Sequence, residues 1–234
     1  MTEVRLRALV GEFVETLNGL VRGVLDTPTR FDAEVVPHRQ LAIVRPPCPE
    51  ADKVPAIPLI RAKGGNEAPA LFLGVTYKVA MDANDTHLQV LTSTISLRVD
   101  VTGGKRVPRP LVRVEYDRDQ LRPGRTAAHV HLHANAPEMA WVYGSGGQPA
   151  PDLHSLHFPV GGRRFRPTLE DFLLFLDREG LYTDWKDGWR PKLIQSLEEW
   201  ERLQARATAR QFPEEAVSAL EALGYGVTAP KDEA

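Results

Sequence analysis

The chain opens with an amphipathic pattern of helical period. Leu6, Val10, Phe13, Leu17, Leu20 and Val24 follow one another at alternating spacings of four and three. This lines one face of a helix over residues 3–25, and Asp26-Thr27-Pro28 ends it. Such a stripe packs a helix on a domain core; its other use, a homodimer seam, is limited by a run shorter than four heptads. Residues 27–69 are rich in proline, most densely over 46–69, and only QLAIVR at 40–45 reads as a strand; the rest reads as loop hugging the surface.

From Ala70 the period falls to two. ALFLGVTYKVAM, the turn DAND, HLQVLTSTISLRVDV, a Gly103-Gly104 turn, LVRVEYD at 111–117 and TAAHVHLHA at 126–134 predict consecutive strands of an antiparallel meander, the histidine-bearing strand being about the fourth. Residues 135–152 read as a long loop with a short strand at MAWVY, and HSLHFPV as a brief strand. A helix follows at LEDFLLFLDREG, with Thr168 as cap, Asp171 three residues on and Gly180 as stop. Two further helices are predicted near 191–210 and 213–223. The fold class is therefore α+β: an antiparallel β-meander sheet with an N-terminal helix and a C-terminal helical segment. Residues 1–180 form the main domain and 181–234 a helical extension packed on it.

Composition adds little to this picture except by exclusion. A hydrophobic share of 42% and a charged share of 26% are those of a folded globular chain. No apolar leader or membrane-spanning run is visible, and the one cysteine, Cys48, can form no internal disulfide; both point to the cytoplasm. The net charge of −2 is unevenly spread. Residues 98–166 hold eleven Lys and Arg against six Asp and Glu, a positive stretch suited to a phosphate-bearing partner.

That same stretch holds five of the seven histidines. In His129-Val130-His131-Leu132-His133 the alternation puts three imidazoles on one face of a strand, with Val130 and Leu132 on the other. His154 and His157 follow in LHSLHFP, then Arg163, Arg164 and Arg166. Two chemistries use such a set. A divalent cation such as zinc could be held by His129, His131 and His157, with His154, Glu138 or Asp152 as further donors. At most two ligands are expected from the HVHLH row, because its ends stand about 13 Å apart along the backbone. Without a metal or any cofactor, His131 and His157 could serve as acid and base, supported by His129 and His133, with Arg163, Arg164 and Arg125 binding phosphate. No GxSxG serine and no activated cysteine competes for the nucleophile's role. The bland alternative is a hydrated, structural histidine face. Gly161-Gly162-Arg163-Arg164 and Gly144-Ser145-Gly146-Gly147 read as turn and loop, and Trp185, Trp189 and Trp200 as core anchors.

VEYDRDQ, HVHLHAN and LHSLHFPVGGRRFRPTLEDFLLFL, within about residues 112–176, resemble the toxin half of TumE-like bacterial toxin–antitoxin pairs. The resemblance implies an RNA-directed, growth-inhibiting activity and an antitoxin partner. Three functions stand open: a histidine-based protein that cleaves phosphodiesters or binds a phosphate ligand, with RNA among its substrates; a non-enzymatic interaction module, with a partner on the N-terminal stripe and the acidic helical tail; and a divalent-metal hydrolase of a small molecule.

Overall fold

The computed structural model describes residues 2–27, 29–48, 55–60, 70–100, 107–118, 126–134, 158–160 and 166–228. Helix α1 (Thr2–Val24) precedes β1 (Asp32–Val36), a 3-10 turn (Pro37–Arg39), β2 (Leu41–Arg45), β3 (Ile57–Ile60), β4 (Ala70–Met81), β5 (Leu88–Asp100), β6 (Arg109–Asp117), β7 (Ala128–Leu132) and β8 (Phe158–Pro159). Three helices close the described chain: α2 (Leu169–Arg178), α3 (Trp189–Gln211) and α4 (Pro213–Ala222). The strands form one antiparallel sheet in the order β1-β2-β4-β5-β6-β7-β8, with β3 beside β2 on the same edge of β4. The α+β class with an antiparallel sheet holds, and the histidine strand is the fourth of the consecutive run β4-β5-β6-β7.

Two strands in the proline-rich region differ from the sequence expectation. β1 carries charge at Asp32 and Glu34 with three exposed positions, and β3 contains Pro58. Neither shows the half-buried alternation that marks a strand. β1 lies at a sheet edge and β3 pairs only with β4, places where exposed charge and a missing N–H are tolerated.

The two faces of the sheet differ in chemistry because the alternation puts them out of phase. Leu73, Val75, Val79, Ile95, Leu97 and Val114 point to the face covered by helices. Leu6, Val10, Leu17, Leu20 and Val24 of α1 are buried there, so the N-terminal stripe lies in this chain's own core. Leu173 and Leu176 of α2, Tyr182 and Leu193 of α3 complete it. Trp185 stacks on Trp189 at 4.3 Å, and both pack against this core. The α2 start is the predicted capping box: Thr168 Oγ1 accepts from Asp171 N at 3.1 Å, while Thr168 N donates to Asp171 Oδ2 at 2.9 Å. Gly180, with φ of +63°, turns the chain after the helix.

The opposite face holds Thr76, Lys78, Thr94, Ser96, Arg98, Arg113, Glu115, His129 and His131, by the pairing of β4, β5, β6 and β7. Leu111 has no counterpart on β5, since Leu97 pairs with Val112 and Arg98 with Pro110. This bulge bends β6 just before Arg113 and Glu115. Among the described residues, no helix is long and apolar enough to cross a membrane.

Candidate metal centre on the polar sheet face

The site is built from one strand pair. β6 and β7 align so that Glu115 faces His129 and Arg113 faces His131, and the period of two brings all four side chains to one face. Glu115 Oε2 lies 3.3 Å from His129 Nε2 and 3.4 Å from His131 Nε2. The two imidazoles meet edge to face with centroids 4.9 Å apart. One potential ligand atom from each of Glu115, His129 and His131 lies within 4.8 Å of the other two, so the group could hold a metal ion.

The surroundings orient these donors. His129 Nδ1 lies 3.1 Å from the Thr126 carbonyl oxygen. A carbonyl only accepts, so Nδ1 carries the hydrogen and Nε2 is turned to Glu115. A histidine that ligates through one nitrogen and donates to a carbonyl from the other is the usual outer-shell arrangement of a metal site. Arg113 Nε stands 2.6 Å from Glu115 Oε1; its N–H is not aligned for a directed hydrogen bond, so the contact is ionic. It occupies one carboxylate oxygen and leaves the other to the histidines. The imidazoles are 4% and 6% exposed while the Glu115 side chain keeps 30%, so access comes from the Glu115 side.

Positive charge continues along the same face. Arg98 Nε donates to Pro108 O at 3.2 Å, and burial, then the nearby Arg113 guanidinium, lowers its pKa from the usual arginine range. Two guanidiniums close enough to disfavour each other make a place where an anion is welcome.

No family model, curated protein or solved structure matches the chain.

Of the residues singled out from the sequence, the fold brings His129 and His131 together on a common acceptor. His133, two residues further along the strand, is not in the three-residue group. Arg166 is elsewhere, above the Tyr116 ring at 4.1 Å on the helix-covered side. His154, His157, Arg125, Arg163, Arg164, Glu138 and Asp152 lie outside the described residues, as do the Gly103-Gly104, Gly144–Gly147 and Gly161–Arg164 segments. Sequence reasoning missed Glu115, Arg113 and Arg98. The signal was there in LVRVEYD, where Arg113 and Glu115 alternate with Val112, Val114 and Tyr116 on the strand next to HVHLH.

Proposed function

We propose that Glu115, His129 and His131 hold a divalent cation of the zinc class and that the protein is a metal-dependent hydrolase of a phosphate-bearing substrate. The observation that carries this reading is the position of Glu115 Oε2 at 3.3 and 3.4 Å from two imidazole nitrogens. Ligands about 2.0–2.1 Å from a tetrahedral ion stand about 3.3–3.4 Å from one another. An octahedral ion at that bond length would draw them to roughly 2.9 Å. Among the described residues three donors converge, the number that catalytic rather than structural zinc takes from the protein. When bound, such an ion activates water and polarises a phosphoryl or carbonyl oxygen. The chain's own part is to fix the donors: the Thr126 carbonyl holds the His129 ring, and Arg113 holds Glu115. Arg98 and Arg113 supply positive charge for an anionic substrate. RNA falls within that class, and the TumE-like resemblance makes it the first polymer to assay.

A metal-free reading has one observation in its favour. Arg113 already compensates the Glu115 carboxylate at 2.6 Å, so the histidine face could work as a base and acid supported by an ion pair. Elemental analysis separates the two. The metal reading expects about one zinc per chain, lost in Glu115→Gln and His131→Ala while the circular dichroism spectrum is kept. It also expects hydrolysis of bis(p-nitrophenyl) phosphate that stops with a chelator and returns with zinc or manganese. A metal-free protein that cleaves the same ester would overturn it in favour of acid–base catalysis. A protein that binds no divalent ion and cleaves nothing would overturn both.

A further inference from the structure

The apolar stripe of α1 is buried in the chain's own core, and the apolar surface that stays exposed gathers at the other end of the sequence. Trp189, Leu193 and Leu197 seat the first half of α3 on the core, but from Glu201 onward no residue of α3 is buried, nor is any of α4. Leu203, Phe212, Leu220, Leu223 and Tyr225 are 55%, 48%, 41%, 76% and 64% exposed. A helix as short as α4 is marginal in water unless it packs on something, yet its ends are specified. Pro213 opens it. Its end is a Schellman turn: Gly224, with φ of +88°, donates to Glu221 O at 2.9 Å, and Tyr225 N donates to Leu220 O at 3.1 Å. That turn brings Tyr225 back beside Leu220.

The two helices carry opposite charge beside their apolar stripes. On α3, Leu203 and Ala207 share one face with Arg206 and Arg210, at the spacings of three, four and seven that a helix brings together. On α4, Ala216, Val217, Leu220 and Leu223 form the stripe, and Glu214 and Glu221, two turns apart, border it. All four of these charged residues are exposed. Arg202 is paired with Glu198 at 3.1 Å, whereas among the described residues none of Arg206, Arg210, Glu214 and Glu221 has an ion-pair partner.

We propose that this helical arm docks a second copy of the chain, the α4 stripe of either protomer lying on the α3 stripe of the other, with Glu214 and Glu221 facing Arg206 and Arg210 across the contact. A two-fold axis makes each contact twice, because in an isologous interface the same patch serves both subunits. An acidic partner would satisfy α3 alone and a basic one α4 alone; a surface with both charges in exchanged places satisfies the two at once. With side chains of about 150–250 Å², the exposed fractions amount to roughly 600 Å² of apolar surface per chain, at the top of the range for a monomer's largest patch and near the about 800 Å² per partner of a standard interface. The apolar stripes supply the affinity. The exposed charges, each weak alone, select the pairing and its register.

Sedimentation velocity and light scattering of the full chain test the assignment. The wild type runs as a dimer in the micromolar range. The double variant Arg206→Glu, Arg210→Glu makes both stripes acidic, and the double variant Glu214→Arg, Glu221→Arg makes both basic; each weakens its own homodimer at least ten-fold, with the β-sheet signal in circular dichroism kept. Mixed in equal amounts, the two variants form a heterodimer, since every α3 then meets an α4 of opposite charge. A chain with all four reversals dimerises again by itself. The proposal falls if the wild type is monomeric, if neither double reversal weakens the dimer, or if the mixed variants stay apart.

Discussion

Gly74 sits in the middle of β4, opposite Ser96, where a glycine weakens a strand and some reason for it is expected. A Cβ added there would fall 2.6 Å from Ser96 Oγ and 3.4 Å from Arg98 Cδ. The second distance is an ordinary contact; the first is roughly 0.8 Å short of one. Ser96 is 2% exposed, so its hydroxyl must rotate in a confined space or the strands must part. An off-rotamer side chain costs about 0.5–1.5 kcal/mol and overpacking about 1–3 kcal/mol. Against this, replacing a mid-strand glycine gains about 0.5–1 kcal/mol. Gly74→Ala is therefore expected to destabilise by about 1 kcal/mol, a drop in melting temperature of about 2–4 °C for a chain of this size. In a Ser96→Ala background the obstructing oxygen is gone, and the same substitution should change sign and stabilise by about 0.5 kcal/mol. Urea unfolding of the four proteins closes a double-mutant cycle with a coupling of about 1.5 kcal/mol. Equal effects of Gly74→Ala in both backgrounds would refute the reasoning. The result bears on the proposed centre, because the Arg98 stem crosses the sheet over this same glycine.

Two further outcomes follow from the structure, beside those set out above. Asn18, 7% exposed, donates to Phe31 O at 3.2 Å and accepts from Phe31 N at 2.6 Å; Asn18→Ala leaves two buried main-chain groups unmet and should cost about 2–4 kcal/mol in urea unfolding, and a loss under 0.5 kcal/mol would show that the contact contributes little. Burial works to raise the Asp82 carboxyl, but the N–H groups of His87 and Thr86 and the Thr86 hydroxyl outweigh it and hold the pKa below the ordinary 3.8. A carboxyl depressed in the folded state contributes stability that is fully present above the unfolded value and is lost as pH falls through the folded one. The stability advantage of the wild type over Asp82→Asn should then hold at pH 5–7, begin to fall near pH 3.8 and be lost only as pH drops below the depressed folded value, as unfolding curves across that range would show; an advantage independent of pH would contradict it.

Much of the architecture was legible because periodicity reports burial. The β4 bounds match the apolar run at 70–81, and the Thr168, Asp171 and Gly180 signals mark α2 as they should, since caps answer to local hydrogen bonding. β1 and β3 were not legible: edge strands take their pairing from β4 and need no alternation of their own. The candidate site was half legible. His129 and His131 announced a shared face through their spacing alone. Glu115 could be joined to them only through the β6–β7 register, which depends on how a neighbouring strand aligns. The row of hydroxyls that Tyr77, Ser93 and Tyr116 form by register across β4, β5 and β6 on the helix-covered face is harder still, for it is assembled from three separate strands and appears in the sequence as three ordinary positions.

The pairing of β6 with β7 has a consequence for the order of assembly. Glu115 lies fourteen residues from His129 and sixteen from His131, so the donor group arises within one antiparallel strand pair and spans a short stretch of chain. Closing so short a stretch carries a small entropic cost compared with the pairing of β2 with β4. The group can thus form early, before distant parts of the sheet have met. A slip of one residue would carry both imidazoles to the side meant for Val130. An ion captured by this strand pair would forbid that slip, so the proposed centre would also enforce strand alignment.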